Sequence, residues 1–284
     1  MNFSEDYDRT WALLRDIAEP DDLAVLVDYI TDKGEGRAAL DSDVKTMLVT
    51  AKKNRYYAEH VRSKIDDEIR EFGGNSLANV FRSLKGDGPI AYKEVATDVA
   101  KHLKASITDN MSVVEIEMAI LQKILKDSIE KMSEAERKEL LEGLGVTDLS
   151  ATGPAIIAAL LKAGKLGGIK TYHLAVIVAN AVAKAITGSG LKLSTNAMIT
   201  KGLSVALGPV GWVLTGIWTA VDLASPALRV TLPCVVQVAY IRQKAIAALT
   251  ENRCDQCAQD NAPQAKFCGA CGNKLDGPAQ AKAA

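Results

Sequence analysis

Cys254, Cys257, Cys268 and Cys271 form two Cys-x2-Cys pairs ten residues apart. That spacing lets two tight knuckles present four thiolates to one tetrahedral metal ion, and the expected ion is Zn2+. A site with four protein ligands has no open position for substrate, so the chemistry it points to is structural stapling, not a reaction. Gly272, just after the second pair, has the backbone freedom to turn amide N–H groups towards sulfur, whereas Ala258 holds the corresponding place after the first pair. Four thiolates on Zn2+ leave a formal charge of −2, which Arg253, Lys266 and Lys274 are near enough in sequence to offset. The alternative is two disulfides, which need an oxidising compartment. Residues 1–6 do not read as the start of a secretory leader, so zinc and a cytoplasmic location are expected.

The segment from Cys254 to Leu275, with Asn261-Ala262-Pro263 in its middle and Lys266-Phe267 before the second pair, resembles the short zinc ribbons appended to many bacterial proteins. Cys234, the fifth cysteine, lies in an apolar run and reads as a core residue.

Elsewhere, the residues able to do chemistry are scattered. His60, His102 and His173 stand alone, and no nucleophile elbow, zincin helix or dinucleotide fingerprint is present. Gly73-Gly74-Asn75-Ser76 lacks the Gly-Lys-Ser/Thr ending of a phosphate loop and reads as a turn between helices. Glu115/Glu117 and Glu134/Glu136 are two apart, on different faces of a helix, and read as solvated surface, not as an acid/base pair. The expectation is a protein that is not an enzyme.

The elements around these residues are read as helical. Aromatics are 5% of the chain and hydrophobic residues 48%, with Ala, Leu, Ile and Val dominant. The net charge of −1 conceals a division: residues 1–149 carry 21 Lys and Arg against 30 Asp and Glu, residues 150–250 carry 9 against 1, and residues 251–284 carry 4 of each. An acidic helical region (1–149) and an apolar, cationic one (150–250) are therefore expected, followed by the ribbon (251–276) and a disordered tail (277–284). The cationic region suits its own acidic half, an acidic partner or anionic lipid.

Periodicity and end signals predict a helix carrying Trp11, Leu13 and Leu14 after a Ser4 cap, and a second opening at Asp21-Asp22 and stopping at Gly34. A third starts at Asp41 or Ser42. A fourth spans 56–72 with Val61, Ile65, Ile69 and Phe72 inward and a Gly73-Gly74 stop. Two more cover about 90–103 and 112–132, and Ser133 with Glu136 suggests a capping box for a short one after them.

Residues 202–221 contain no charge, and as one helix they would measure about 30 Å, the thickness of a bilayer core. Gly208-Pro209 and Gly211 break that run. A second apolar stretch, 230–241, follows Arg229. Together the two form a predicted apolar helical hairpin with Asp222 at its tip, Trp212 and Trp218 along one arm, and Lys192, Lys201, Arg242 and Lys244 at its base. Either it is the centre of a soluble helical bundle or it dips into a membrane from one side. Asp222, Arg229, Trp212 and Trp218 are the residues that would mark a membrane hairpin.

Phe72-Gly73-Gly74-Asn75-Ser76-Leu77-Ala78-Asn79, Tyr92 to Leu103, Met111-Ser112-x-x-Glu115-Ile116-Glu117 and Arg229-Val230-Thr231-Leu232-Pro233-x-x-x-Gln237-x-Ala239-Tyr240-x-Arg242 resemble the bacterial YaaW family, part of which is labelled ubiquinol–cytochrome c chaperone-like. The resemblance covers about 5–248 and leaves the ribbon as an added module. It implies an assembly factor or chaperone near membrane complexes, and it brings no catalytic or ligand residues with it.

The expected architecture is thus all-α: a multi-helix bundle with a central apolar hairpin and a small C-terminal zinc ribbon. The expected function is a non-enzymatic accessory or chaperone-like interaction protein with an unidentified protein partner, peripheral or inducible membrane association, and oligomerisation open. The alternatives are a membrane-active, pore-forming-like protein inserting 202–241 and a nucleic-acid-binding ribbon. The second is disfavoured because 251–284 has no net charge and one aromatic, Phe267.

Overall fold

In a computed structural model of the chain, the structure describes residues 10–37, 40–73, 90–135, 137–138, 169–188, 191, 227–250, 254, 256–257, 261 and 265–275. The elements of the helical body within them are α1 (Thr10–Asp16), α2 (Pro20–Thr31), α3 (Ser42–Asn54), α4 (Glu59–Gly73), α5 (Tyr92–His102), α6 (Val113–Lys131), α7 (Ile169–Thr187) and α8 (Leu228–Thr250).

Local signals decide where several of these helices begin. Pro20 supplies the fixed φ of a first helical turn, and Glu19 and Asp22 cap α2 reciprocally, with the Glu19 amide donating to Asp22 Oδ2 over 3.0 Å. Asp41 caps α3 by accepting from the amides of Asp43 and Val44 at 2.8 and 3.2 Å. At α6 the Ser112 amide donates to Glu115 Oε2 over 2.7 Å, while the Glu115 amide donates to Ser112 Oγ over 3.3 Å. The α2 stop lies earlier than its glycine suggests. The helix ends at Thr31, and Asp32, Lys33 and Gly34 then follow one another in the left-handed region at φ 52°, 58° and 93°. Asp32 closes the helix by donating its amide to Asp28 O, a role usually given to glycine.

The helices bury one continuous core that runs in sequence from Leu13 to Ile241. Val61, Ile65, Ile69 and Phe72 all point into it, as their spacing predicts. At its centre is α8, in contact with α1, α2, α4, α5 and α6 and most extensively with α7, where Tyr172 and Tyr240 stack at 6.1 Å. Every residue from 230 to 243 is buried. A helix enclosed on all sides has no polar face to display, which is why 230–241 reads as a uniformly apolar stretch.

The proposed hairpin has one arm inside α8. Residues 202–226, including Trp212, Trp218 and Asp222, lie outside the described residues, as do Ser4 and the 149/150 boundary. Arg229 is exposed in the first turn of α8. Among the described residues no helix is long and apolar enough to cross a membrane.

Candidate functional site

The C-terminal module is built from two turns and a short antiparallel contact. Phe267 pairs with Lys274 across a β-bridge; the Cys268 amide donates to Asn273 O over 2.8 Å and the Leu275 amide to Lys266 O over 3.0 Å. Between them the chain reverses through Cys268-Gly269-Ala270-Cys271, and Gly272 takes φ 71°, a conformation that a side chain would strain. Its amide donates to Cys268 O, so the glycine closes the turn; the amides that act on Cys268 Sγ are those of Cys271 and of Ala270, the latter at 3.4 Å. Asn261 Oδ1 accepts from the Gly269 amide over 2.9 Å, and Asn273 Nδ2 approaches Cys254 Sγ at 3.8 Å.

These turns bring the four sulfurs of Cys254, Cys257, Cys268 and Cys271 to within 4.8 Å of one another. The donor set fits a tetrahedral metal ion: thiolates converge and backbone N–H groups aim at sulfur, the second sphere that thiolate sites use to spread charge. The amides of Cys271 and Ala270 hold the Cys268 thiol down to about 6, and those of Cys257 and Gln256 lower Cys254. Cys254, Cys268 and Leu275 form a small core of their own, whereas Cys257, Cys271, Lys266 and Lys274 are exposed. Ala258 and Arg253 lie outside the described residues. Cys234 is sealed in α8, where burial pushes its thiol far up and leaves it inert.

The helical body holds a second arrangement that the spacing of its residues did not reveal. Glu117 is not solvated surface: it is 0% exposed, and its carboxylate accepts from Arg242 Nε over 2.8 Å and from Tyr92 Oη over 2.9 Å. Arg242 Nη2 reaches the other carboxylate oxygen at 3.3 Å. The three residues come from α5, α6 and α8, and Arg242 and Tyr92 are each 1% exposed. Burial, then the neighbouring carboxylate, raises the Tyr92 phenol well above its ordinary value, so it stays a donor. Glu115, two residues away, faces outward and serves as the α6 cap described above, which lowers its pKa through the Ser112 amide and hydroxyl. The two glutamates lie on different faces of α6, as their spacing predicts, but Glu117 is buried where solvated surface is expected. The signal that could have flagged it is a long-range one, an arginine in an otherwise uncharged run.

A half-buried cluster joins the acidic and cationic regions within one chain. Lys244 Nζ donates to Glu19 Oε2 over 2.6 Å and to Asp22 Oδ2 over 3.1 Å, and Gln237 Nε2 donates to Asp22 O over 3.2 Å. Burial raises Asp22 despite Lys244. On Lys244 burial acts the other way, but two carboxylates outweigh it and its pKa rises. The asymmetry is physical: Asp22 is the more buried, and its loss of water outweighs both Lys244 and the Glu19 amide, whereas Lys244 keeps some water and gains two carboxylates. His60 and His102 are exposed, and among the described residues the four cysteines are the one group with the makings of a metal site.

The family described as ubiquinol–cytochrome C chaperone matches residues 60–236. The chain belongs to this family. A UPF0174 protein of Helicobacter pylori strain J99 is 38% identical over 239 residues, 84% of this chain and 92% of the relative. A second from the same strain is 40% identical over 193 residues, 66% and 90% of the two chains. The UPF0174 protein YaaW of Escherichia coli K12 is 28% identical over 225 residues, 78% and 88%. No solved structure matches the chain. The ubiquinol–cytochrome C chaperone match contains Tyr92 and Glu117 and ends just before Arg242, and the four cysteines lie outside it. Three of the segments that carry the YaaW resemblance therefore meet physically at one buried carboxylate.

Proposed function

We propose that the chain is a non-enzymatic accessory or chaperone-like protein acting on a protein partner in the cytoplasm, with its C-terminal module stapled by one Zn2+. Family membership supports the first part, and the observation that carries it is the sealed Tyr92, Glu117 and Arg242 network. These groups could do acid/base chemistry, yet they are engaged with one another out of reach of any substrate and hold three helices together. Carried over to this chain, the family's description makes a protein of the ubiquinol–cytochrome c system the partner to test first. The convergent sulfurs support the metal, and a site closed by four thiolates suits Zn2+ as a structural ion that, when bound, takes the place of a hydrophobic core in a module this small. A thiolate site also suits a reducing compartment.

Suppression of aggregation of a chemically unfolded reporter enzyme by the full chain tests the chaperone-like reading. Suppression at near-stoichiometric ratios is expected; none at any ratio, together with no partner trapped by cross-linking in cells, sinks it. Metal analysis tests the staple: one zinc per chain is expected, and stoichiometric iron would replace the assignment. Most of the membrane hairpin lies outside the described residues, and the nucleic-acid reading has a single exposed aromatic in the module, Phe267 at 61%, with no net charge over 251–284 to draw phosphate.

A further inference from the structure

The four sulfurs are unequal. Cys254 and Cys268 are 1% and 3% exposed, while Cys257 and Cys271 face solvent. Two approaches of 3.5 Å cross between the knuckles, Cys254 to Cys271 and Cys257 to Cys268, and each joins a buried sulfur to an exposed one. We infer that the centre is an oxidation site that releases its metal when a hydroperoxide converts these two cross-knuckle pairs to disulfides. The inference rests on the metal reading above and adds a regulation to it.

The step balances with the peroxide as sole oxidant. The exposed Cys257 thiolate attacks one oxygen of hydrogen peroxide; an S–O bond forms, the O–O bond breaks, and the hydroxide that leaves is neutralised by a buffer proton. The buried Cys268 thiolate, already 3.5 Å away, attacks the sulfenic sulfur; the S–S bond forms, the S–O bond breaks, and a second hydroxide leaves. Two thiolates have lost two electrons to one peroxide, and the metal has lost two of its four ligands. Cys271 and Cys254 repeat the sequence with a second peroxide. Exposure selects which sulfur meets the oxidant, and proximity selects which one resolves it. A disulfide supplies no thiolate, so the ion departs; a thiol reductant with added Zn2+ restores the site.

The test uses the full chain as isolated, treated with hydrogen peroxide beside a chromophoric zinc chelator too weak to strip the untreated protein. Disulfides are then mapped by peptide mass analysis. The expected result is release of one zinc per chain, with Cys254–Cys271 and Cys257–Cys268 links, Cys234 still a thiol, and recovery on reduction with zinc. Zinc retained while a free-thiol standard is fully oxidised overturns the inference and leaves the staple standing. Links within each Cys-x2-Cys pair, or sulfonic acids with no disulfide, overturn it as well. A protein isolated without metal overturns the staple and this inference with it.

Discussion

Arg242 and Glu117 lie 125 residues apart in sequence and face each other with Nε 2.8 Å from Oε2, both enclosed by core. Removing one partner leaves a buried charge alone. Arg242→Met is expected to destabilise the helical body by about 3–5 kcal/mol, whereas Glu117→Leu/Arg242→Met recovers most of that loss. Urea unfolding of the three proteins measures it. A double variant no more stable than Arg242→Met would mean that the pair is not what α8 depends on there.

Lys244 gives the body a dependence on alkaline pH. Its folded pKa is raised, so the stability it contributes is fully present below its unfolded value near 10.4 and is lost as pH climbs through the folded one. Lys244→Met should be less stable than the parent by about 1–2 kcal/mol at pH 8, with the gap closing as pH rises through the raised folded pKa. Denaturation at several pH values reads the difference directly; a gap independent of pH would assign the loss to packing of the lysine stem.

Salt separates the two contacts between α8 and the acidic helices. Lys244 and Glu19 are partly open to solvent, with Asp22 buried beneath them, whereas Arg242 and Glu117 are both enclosed. Raising the salt concentration from 0.05 to about 1 M should shrink the Lys244→Met effect and leave the Arg242→Met effect nearly unchanged, because screening acts where ions can reach. Equal screening of both would contradict the burial of Glu117.

Ser112→Ala removes half of the α6 capping box and is expected to lower stability by about 1 kcal/mol, with Ser112→Asp less harmful than Ser112→Ala. Thermal melts suffice. An alanine variant indistinguishable from the parent would leave the Ser112 hydroxyl without a role.

Chelation should leave the helices standing. The module has its own small core of Cys254, Cys268 and Leu275, separate from that of the body, so far-UV circular dichroism should hardly change when zinc is stripped. Proteolysis should then cut within 254–275. Cys254→Ser/Cys271→Ser with full zinc content would refute the ligand assignment.

What could be read from the sequence was local. Asp41 and the Val61, Ile65, Ile69, Phe72 stripe needed only neighbours a few residues away, and the cysteine pairs carry their geometry in their spacing. Glu117 could not be placed, since nothing within a helical turn of it betrays a partner on α8. The stretch 230–241 was legible as a centre of the bundle, but not separable from a membrane arm: a helix buried on every side lacks the two-faced pattern from which its packing partners are inferred. Asp32 stopping α2 was hidden by Gly34, which offers the same backbone freedom two residues later.

The position of α8 also sets an order of events. The helix on which α1, α2, α4, α5, α6 and α7 all converge is the last of them to leave the ribosome, and Lys244 meets Asp22 across 222 residues of chain. At about 5–20 residues per second, α1 and α2 wait some ten seconds or more, and the later helices a shorter time, before their common support arrives. Closure of so long a loop is slow by topology alone. A nascent chain truncated before residue 228 is thus a set of helices without a centre, and a protein grouped with chaperones is itself one whose synthesis offers such folding helpers a prolonged target.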